Sequence, residues 1–189
     1  LINPLFDKCL QVDFSTEAGV QDLTVRVDAL LAKIRKKHKE YGIKEKPFVV
    51  VKADNSDPRM GVLTVREGKD LVSLRHQAVR AAPTTQKGSS PLFDVMIQEG
   101  VLTCERVNDA VAEPVVYMMD RYVVGGFYRV HAPRKVDENL NAPGSSFVPL
   151  AFAESTHLPQ PGIKPGASAP NRFYMYGVIG RLAMLAASY

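Results

Sequence analysis

One stretch of the chain repeats its apolar residues at helical spacing more clearly than any other. Between Glu17 and Tyr41, the positions Val20, Leu23, Val27, Leu30, Leu31, Ile34 and Tyr41 fall on one helix face. Ser15 or Thr16 is placed to cap the start, and Gly42 to stop the helix. The period then changes. Lys46-Pro47-Phe48-Val49-Val50-Val51-Lys52-Ala53-Asp54 runs through consecutive apolar residues and ends in a lysine. This predicts a strand over 47–52, buried on both faces, with Lys52 at its rim. The polar loop Asp54-Asn55-Ser56-Asp57-Pro58-Arg59 leads through Met60 and Gly61 into a second strand over 61–66. Leu71, Val72, Leu74 and Val79 then predict a helix over 68–80.

Beyond this point the punctuation is stronger than the periodicity. Pro83 to Pro91 is rich in Ser, Thr, Gly and Pro and reads as a flexible loop. Asp94 to Gly100 reads as a central strand ending in polar groups. Residues 115–123 and 127–131 are two β-prone runs around Gly125-Gly126, which predicts a hairpin with its tight turn at the glycines. Residues 157–170 hold four prolines and two glycines and read as a long surface loop. A final helix is expected from about Arg172, with Tyr176, Ile179, Leu182 and Leu185 on one face. The mixture of separate helices and strands, without an internal repeat, points to the α+β class.

A chain of 189 residues can build one sizeable core or two small lobes. Its 46% apolar and 23% charged content is that of an ordinary globular domain. No apolar run reaches the roughly 20 residues that span a bilayer. Cys9 and Cys104 are the only cysteines, and their wide spacing argues against a disulfide scaffold and for a reducing compartment. The net charge of +4 owes much to Lys33, Arg35, Lys36, Lys37 and Lys39. These cations complement the carboxyl end of a helix. They would also suit a nucleic-acid surface, but no aromatic residues are interleaved for base stacking. The chain opens on Leu1 and closes on Ala186-Ala187-Ser188-Tyr189 in a helical pattern. Both ends read as cut, so a longer protein is expected.

Several residues offer chemistry, each beside a plainer alternative. Lys52 can follow phosphate oxygens as a compact point charge, or simply be solvated. Gln98-Glu99-Gly100 can present amide, carbonyl and carboxylate groups to an adenine edge or a ribose hydroxyl, or be a solvated strand end. Asp137-Glu138-Asn139-Leu140-Asn141-Ala142-Pro143-Gly144 collects hard oxygen ligands of the kind magnesium prefers, but the same residues dominate turns. Arg129 lies between Tyr128 and Val130 and needs a carboxylate or phosphate partner there. Asp120 and Arg121 interrupt the hairpin in a similar way. His131, His157 and Cys104 receive no role. Neither a Gly-rich Walker-type loop nor a nucleophile elbow is present.

Taken in order, these segments resemble the ATP-grasp fold, in which two α+β lobes close on ATP. Tyr41 to Asp54 (YGIKEKPFVVVKAD), Gln98 to Gly100 (QEG), Asn108 to His131 (NDAVAEPVVYMMDRYVVGGFYRVH) and Asp137 to Pro149 (DENLNAPGSSFVP) are similar to the proteobacterial type of glutamate–cysteine ligase. The opening LINPLFDKCL and the closing NRFYMYGVIGRLAML are similar as well. The resemblance implies a carboxy-terminal, nucleotide-binding half with two lobes of mixed or antiparallel sheets enclosing a nucleotide cleft. Its divisions would be a leading segment and helix over 1–46, a smaller lobe over 47–100 and a larger lobe over 101–189.

The implied activity is ATP-dependent joining of the glutamate side-chain carboxylate to cysteine through an acyl phosphate, the first step of glutathione synthesis. The implied cofactors are ATP and Mg2+. Lys52 and Gly61 would hold phosphates, Gln98 and Glu99 the adenosine, and Arg129 the transferring phosphoryl group. Glu138, Asn139 and Asn141, with Asp120, would carry magnesium. Implied partners are glutamate, cysteine and an amino-terminal half, with no nucleic acid or membrane and a cytoplasmic location. The chain departs from the family in its lid, where Asn55-Ser56-Asp57-Pro58-Arg59 replaces a glycine-rich turn. Pro58 removes an amide donor and Asp57 adds negative charge beside the phosphates. Residues 75–93 also differ from the family's basic segment. The alternative reading is a non-catalytic ATP-grasp-like scaffold that binds a partner.

Overall fold

The helical stripe and the apolar strands come together in one core, and the chain's first residues supply a strand that the spacing does not announce. A computed structural model describes residues 4–55, 57, 60–78, 92–150 and 172–188, with residues 172 and 173 described by backbone alone. The chain divides into two compact units, residues 1–102 and 103–189.

In the first unit, β1 (Phe6–Asp13) is followed by a 3-10 turn at Ala18–Val20 and by α1 (Gln21–Tyr41). Then come β2 (Val49–Ala53), β3 (Leu63–Val65), α2 (Asp70–Ala78) and β4 (Leu92–Glu99). The sheet order is β1-β4-β2-β3, and every pairing is antiparallel. The leading segment therefore belongs to the same unit as residues 47–100, because β1 pairs with β4 along its length. Gln11 has φ 56°, and the register of β1 against β4 shifts between Cys9 and Val12. That bulge breaks the two-residue alternation by which a strand is recognised from sequence.

The stripe Val20, Leu23, Val27, Leu30, Leu31 and Ile34 is buried, as its spacing predicts. It packs against Val49, Val51, Leu63, Val65, Val95 and Ile97 on one face of the sheet. Tyr41 is exposed instead. Thr16 Oγ1 accepts the Gly19 amide at 3.0 Å, but neither the 3-10 turn, with Glu17 at its N-cap, nor α1, with Val20 at its N-cap, has a side-chain cap. Gly42 ends α1 in the left-handed region (φ 66°), where its missing Cβ avoids strain. The expected helix over 68–80 appears as α2, and its Val79 lies outside the described residues.

In the second unit, β5 (Arg106–Val107), β6 (Ala110–Met119), β7 (Tyr122–Val130) and β8 (Ser146–Pro149) form an antiparallel sheet in that order, and α3 (Arg172–Ala187) closes the described chain. The hairpin exists, but its turn is not at the glycines. Met119 pairs with Tyr122 around Asp120-Arg121, and Asp120 takes φ 52°. Aspartate tolerates this conformation better than most residues. Gly125 and Gly126 lie inside β7, opposite Tyr117 and Val116. A Cβ on Gly126 would stand 2.5 Å from the Val115 carbonyl oxygen and 3.0 Å from Leu150, so this glycine serves close packing rather than a turn. A second hairpin, β5–β6, turns at Asn108-Asp109, both with positive φ (48° and 65°).

The final helix forms, but its expected face does not pack as a unit. Tyr176 is buried and its hydroxyl meets that of Tyr128 at 3.0 Å. Ile179, Leu182 and Leu185 are each more than half exposed. The helix is apolar nearly all round, so spacing alone does not select a face. The expected loops over 83–91 and 157–170 lie outside the described residues. Among the described residues no helix is long and apolar enough to cross a membrane.

Candidate functional site

Residues paired across an antiparallel ladder point to the same face, so the register sorts the expected site residues into two sets. On β2 and β4, Val50 opposes Gln98 and Lys52 opposes Met96. Lys52 and Gln98 therefore share a face as diagonal neighbours, on the side turned away from the α1 core. The same face carries Phe6 and Lys8 of β1, opposite Gln98 and Met96. Lys8 Nζ reaches Asp54 Oδ2 at 2.8 Å, which ties the end of the Lys52 strand to β1.

Glu99 turns the other way. It opposes Val49 of the core face and is 7% exposed. Its Oε2 accepts from Lys37 Nζ and from the Leu5 amide, each at 2.8 Å, and its Oε1 stands 3.9 Å from His38 Nε2. Burial pushes this carboxyl upward, but Lys37, the Leu5 amide and His38 together hold it below its ordinary value. The structure thus brings Gln98 to Lys52 and leaves the Glu99 carboxylate on the opposite side of the sheet. Strand alternation is the reason: of two consecutive residues, only one can point to a given face. A cavity of about 330 Å³ lies beside Glu99, lined in part by Lys37, His38, Ile43, Phe48 and Leu102.

Gly61 is buried, and its amide donates to the Ala78 carbonyl at 2.6 Å, joining the segment that leads into β3 to the end of α2. The expected phosphate donor is already used within the unit. In the loop after β2, the Asp57 amide meets Asn55 Oδ1 at 3.2 Å, while Ser56, Pro58 and Arg59 lie outside the described residues.

In the second unit, Arg129 opposes Glu113 across β6–β7, and its guanidinium hydrogen-bonds the Glu113 carboxylate. Its Nε is buried without a partner. Arg129 lies on the sheet face opposite Tyr128 and α3. That face also carries a row of rings: Tyr117 and Phe127 are 6.0 Å apart, and Phe127 meets Phe147 edge-on at 5.2 Å.

The acid-and-amide segment is a folded turn anchored by buried Leu140. Glu138 Oε2 accepts the Lys135 amide at 2.7 Å, and Asn139 Oδ1 accepts the Asn141 amide at 2.9 Å. Ser145 Oγ lies within hydrogen-bond reach of the Leu140 and Ala142 carbonyls, at 2.6 and 2.7 Å, and its one proton serves either. His131, 6% exposed, meets the Pro143 carbonyl through Nε2 at 3.1 Å and so supports the turn from below. Asn141 is exposed. Asp120 belongs to the hairpin turn and is likewise exposed. Among the described residues, no group of three or more His, Cys, Asp or Glu side chains is placed to hold a metal ion.

Sequence reading misses Glu113, Lys37, His38 and Leu5 as partners of these residues. The first depends on hairpin register, which a misplaced turn shifts. Leu5 depends on a strand whose bulge hides it, and Lys37 and His38, though on the expected helix α1, meet Glu99 only through the packing of α1 on the end of β4.

The described chain is an α+β protein of two antiparallel four-stranded sheets, one of which carries a lysine and an amide together on the face away from its helix. It belongs to the glutamate-cysteine ligase family, whose model matches residues 1–189. It is also similar to a crystal structure from Methylobacillus flagellatus KT, provisionally named a gamma-glutamylcysteine synthetase, with 49% identity and a TM-score of 0.78. That match covers 98% of this chain and 43% of the other, so the chain spans less than half the relative's length. No curated protein matches.

Proposed function

We propose that this chain is the nucleotide-binding part of an ATP-dependent glutamate–cysteine ligase, built as two ATP-grasp-like lobes around a nucleotide cleft. The observation that carries the reading is the placement of Lys52 and Gln98 on one sheet face, at diagonal positions of adjacent strands. Membership of the ligase family over the whole chain supports it. A carboxylate is a poor electrophile. ATP would convert the glutamate side-chain carboxylate to an acyl phosphate, and the cysteine amine would displace phosphate to form the amide. Such a transfer calls for alignment and charge neutralisation more than for covalent help.

The residues suit these tasks unequally. Lys52 would steady the phosphates and Gln98 the adenine edge. Arg129 would meet the transferring phosphoryl group, sharing its guanidinium with Glu113. Glu138, Asn139 and Asn141 are oxygen donors of the class magnesium takes, with Asp120 a further one, and the ion would supply positive charge beside the phosphates. To act as ligands, Glu138 and Asn139 would exchange their present backbone partners for the ion. An amino-terminal half of the longer protein would complete recognition of glutamate and cysteine, in the cytoplasm.

Calorimetry with Mg-ATP tests the reading. Binding that depends on magnesium and weakens in both Lys52→Ala and Arg129→Ala supports it, because the two residues belong to different units. A non-catalytic scaffold is the second reading, favoured by the Gly61 amide and the Glu138 and Asn139 side chains already being engaged. No heat of binding, with the chain folded, would select the scaffold.

A further inference from the structure

We propose that Glu99 is a positioning residue rather than a nucleotide ligand: its pairing with Lys37 fixes the register of β4 and so holds Gln98 on the Lys52 face. The inference rests on the nucleotide reading above for its consequence, but on independent contacts for its geometry.

Two chain segments meet at this carboxylate, and a third is tied to the residue after it. Glu99 Oε2 accepts from Lys37 in the last turns of α1 and from the Leu5 amide just before β1. The Glu99 amide donates to the Leu5 carbonyl at 2.7 Å, and the Gly100 amide to the Phe48 carbonyl at 2.9 Å. His38, 3.9 Å from Oε1, is itself held through Nδ1 by the Glu45 carbonyl at 3.1 Å. The end of β4 is thereby fastened to α1, β1 and the approach to β2 at one point.

The neighbouring residue gives this fastening its consequence. Side chains alternate along a strand, so a slip of one residue would exchange Gln98 and Glu99 between the two faces. The carboxylate would then stand beside Lys52, where it would repel phosphate and compete for the ammonium. The amide would face Lys37 and leave that charge without its carboxylate in a region where Lys37 is only 14% exposed. A buried polar pair is a weak source of stability but an effective device for choosing one register over another. Buried Phe93, Val95 and Ile97 set the main register of β4, and the Lys37 pair secures its last step, where Glu99 opposes the apolar Val49. The adjacent cavity of about 330 Å³ admits water to the pair, so removing one partner need not unfold the unit.

Two readouts on the full chain test this: Mg-ATP calorimetry, and amide hydrogen exchange at positions 99 and 100. The variants are Glu99→Gln, Lys37→Met, their double combination and the conservative Lys37→Arg. Each of the first two should raise the Mg-ATP Kd on the order of ten- to a hundredfold, the range expected for a small misplacement of a contacting group. The double variant should be no worse than either single one, and Lys37→Arg should restore most of the affinity. Weakening in Glu99→Gln with an unchanged Lys37→Met would show that Glu99 touches the nucleotide itself and would overturn the proposal. Unchanged affinity in both variants would do the same. If the wild-type chain gives no heat with Mg-ATP, the nucleotide reading fails separately, and hydrogen exchange still decides the geometry. Faster exchange at both positions in both variants supports the positioning role, and wild-type protection in either removes it.

Discussion

Glu113 stands directly opposite Arg129 in the β6–β7 ladder, and its carboxylate takes the guanidinium proposed above to meet a phosphoryl group. Both side chains are partly exposed, 34% for Glu113 and 21% for Arg129. The pair therefore sits between a weak surface bridge and a costly buried one. Glu113→Ala and Arg129→Ala should couple by about 1 kcal/mol in a double-mutant cycle read by urea unfolding. In Mg-ATP binding the two should part company, with only Arg129→Ala losing affinity. Equal losses in both would make the pair structural alone.

The Glu99 carboxyl makes stability depend on acid pH. Its folded value lies below the ordinary 4.5, so an unfolded chain binds its proton first as pH falls. The stabilisation is full above the ordinary value and is lost as pH drops through the lowered folded value. Glu99→Gln cannot show this loss. The gap in unfolding free energy between wild type and Glu99→Gln should stay level from about pH 7 down to about pH 5 and shrink by about pH 3. A gap that holds constant to the acid end would mean that folding does not lower the Glu99 carboxyl.

The two thiols should behave oppositely. Cys9 is buried and its thiol is pushed up to about 11, first by burial and then by its contact with Asp22, whose Oδ2 lies 3.2 Å from Sγ. Cys104 is exposed. A thiolate-specific reagent at mildly alkaline pH should titrate Cys104 in the native chain and reach Cys9 only after denaturation. Rapid reaction at Cys9, located by mass spectrometry, would contradict its burial.

The adjacent glycines of β7 should differ in tolerance. Gly126→Ala places a methyl against the Val115 carbonyl and Leu150, whereas a Cβ at Gly125 meets nothing within 4 Å. Thermal melting should show Gly126→Ala destabilised by about 1–3 kcal/mol, the usual cost of overpacking. Gly125→Ala should melt near wild type or above it, because alanine loses less backbone entropy on folding. If both substitutions destabilise alike, the glycines act through backbone freedom after all.

Helices and strands with a clean period are legible in the sequence itself. The α1 stripe from Val20 to Ile34, the valines of β2 and the apolar run of β4 all lie where their spacing puts them. Each is governed by local periodicity against a single apolar core. β1 stays hidden because a bulge at Gln11 spoils its alternation. The β6–β7 turn escapes sequence reading because a glycine pair has two uses, positive φ and close approach, and sequence does not distinguish them. Local pattern also leaves the face of α3 undetermined, since a helix apolar on every side has no preferred stripe.

The chain alone determined its family, its α+β class and the residue types able to meet a nucleotide. Only tertiary structure decided which of those residues act together. Lys52 and Gln98 lie 46 positions apart, and they share a face because β2 and β4 pair in one register. Glu99, one residue along, is sent to Lys37, and Arg129 is given to Glu113. Periodicity is a property of neighbours in the chain. Partnership between distant charges depends on register, bulges and turns, which only packing of the whole unit selects.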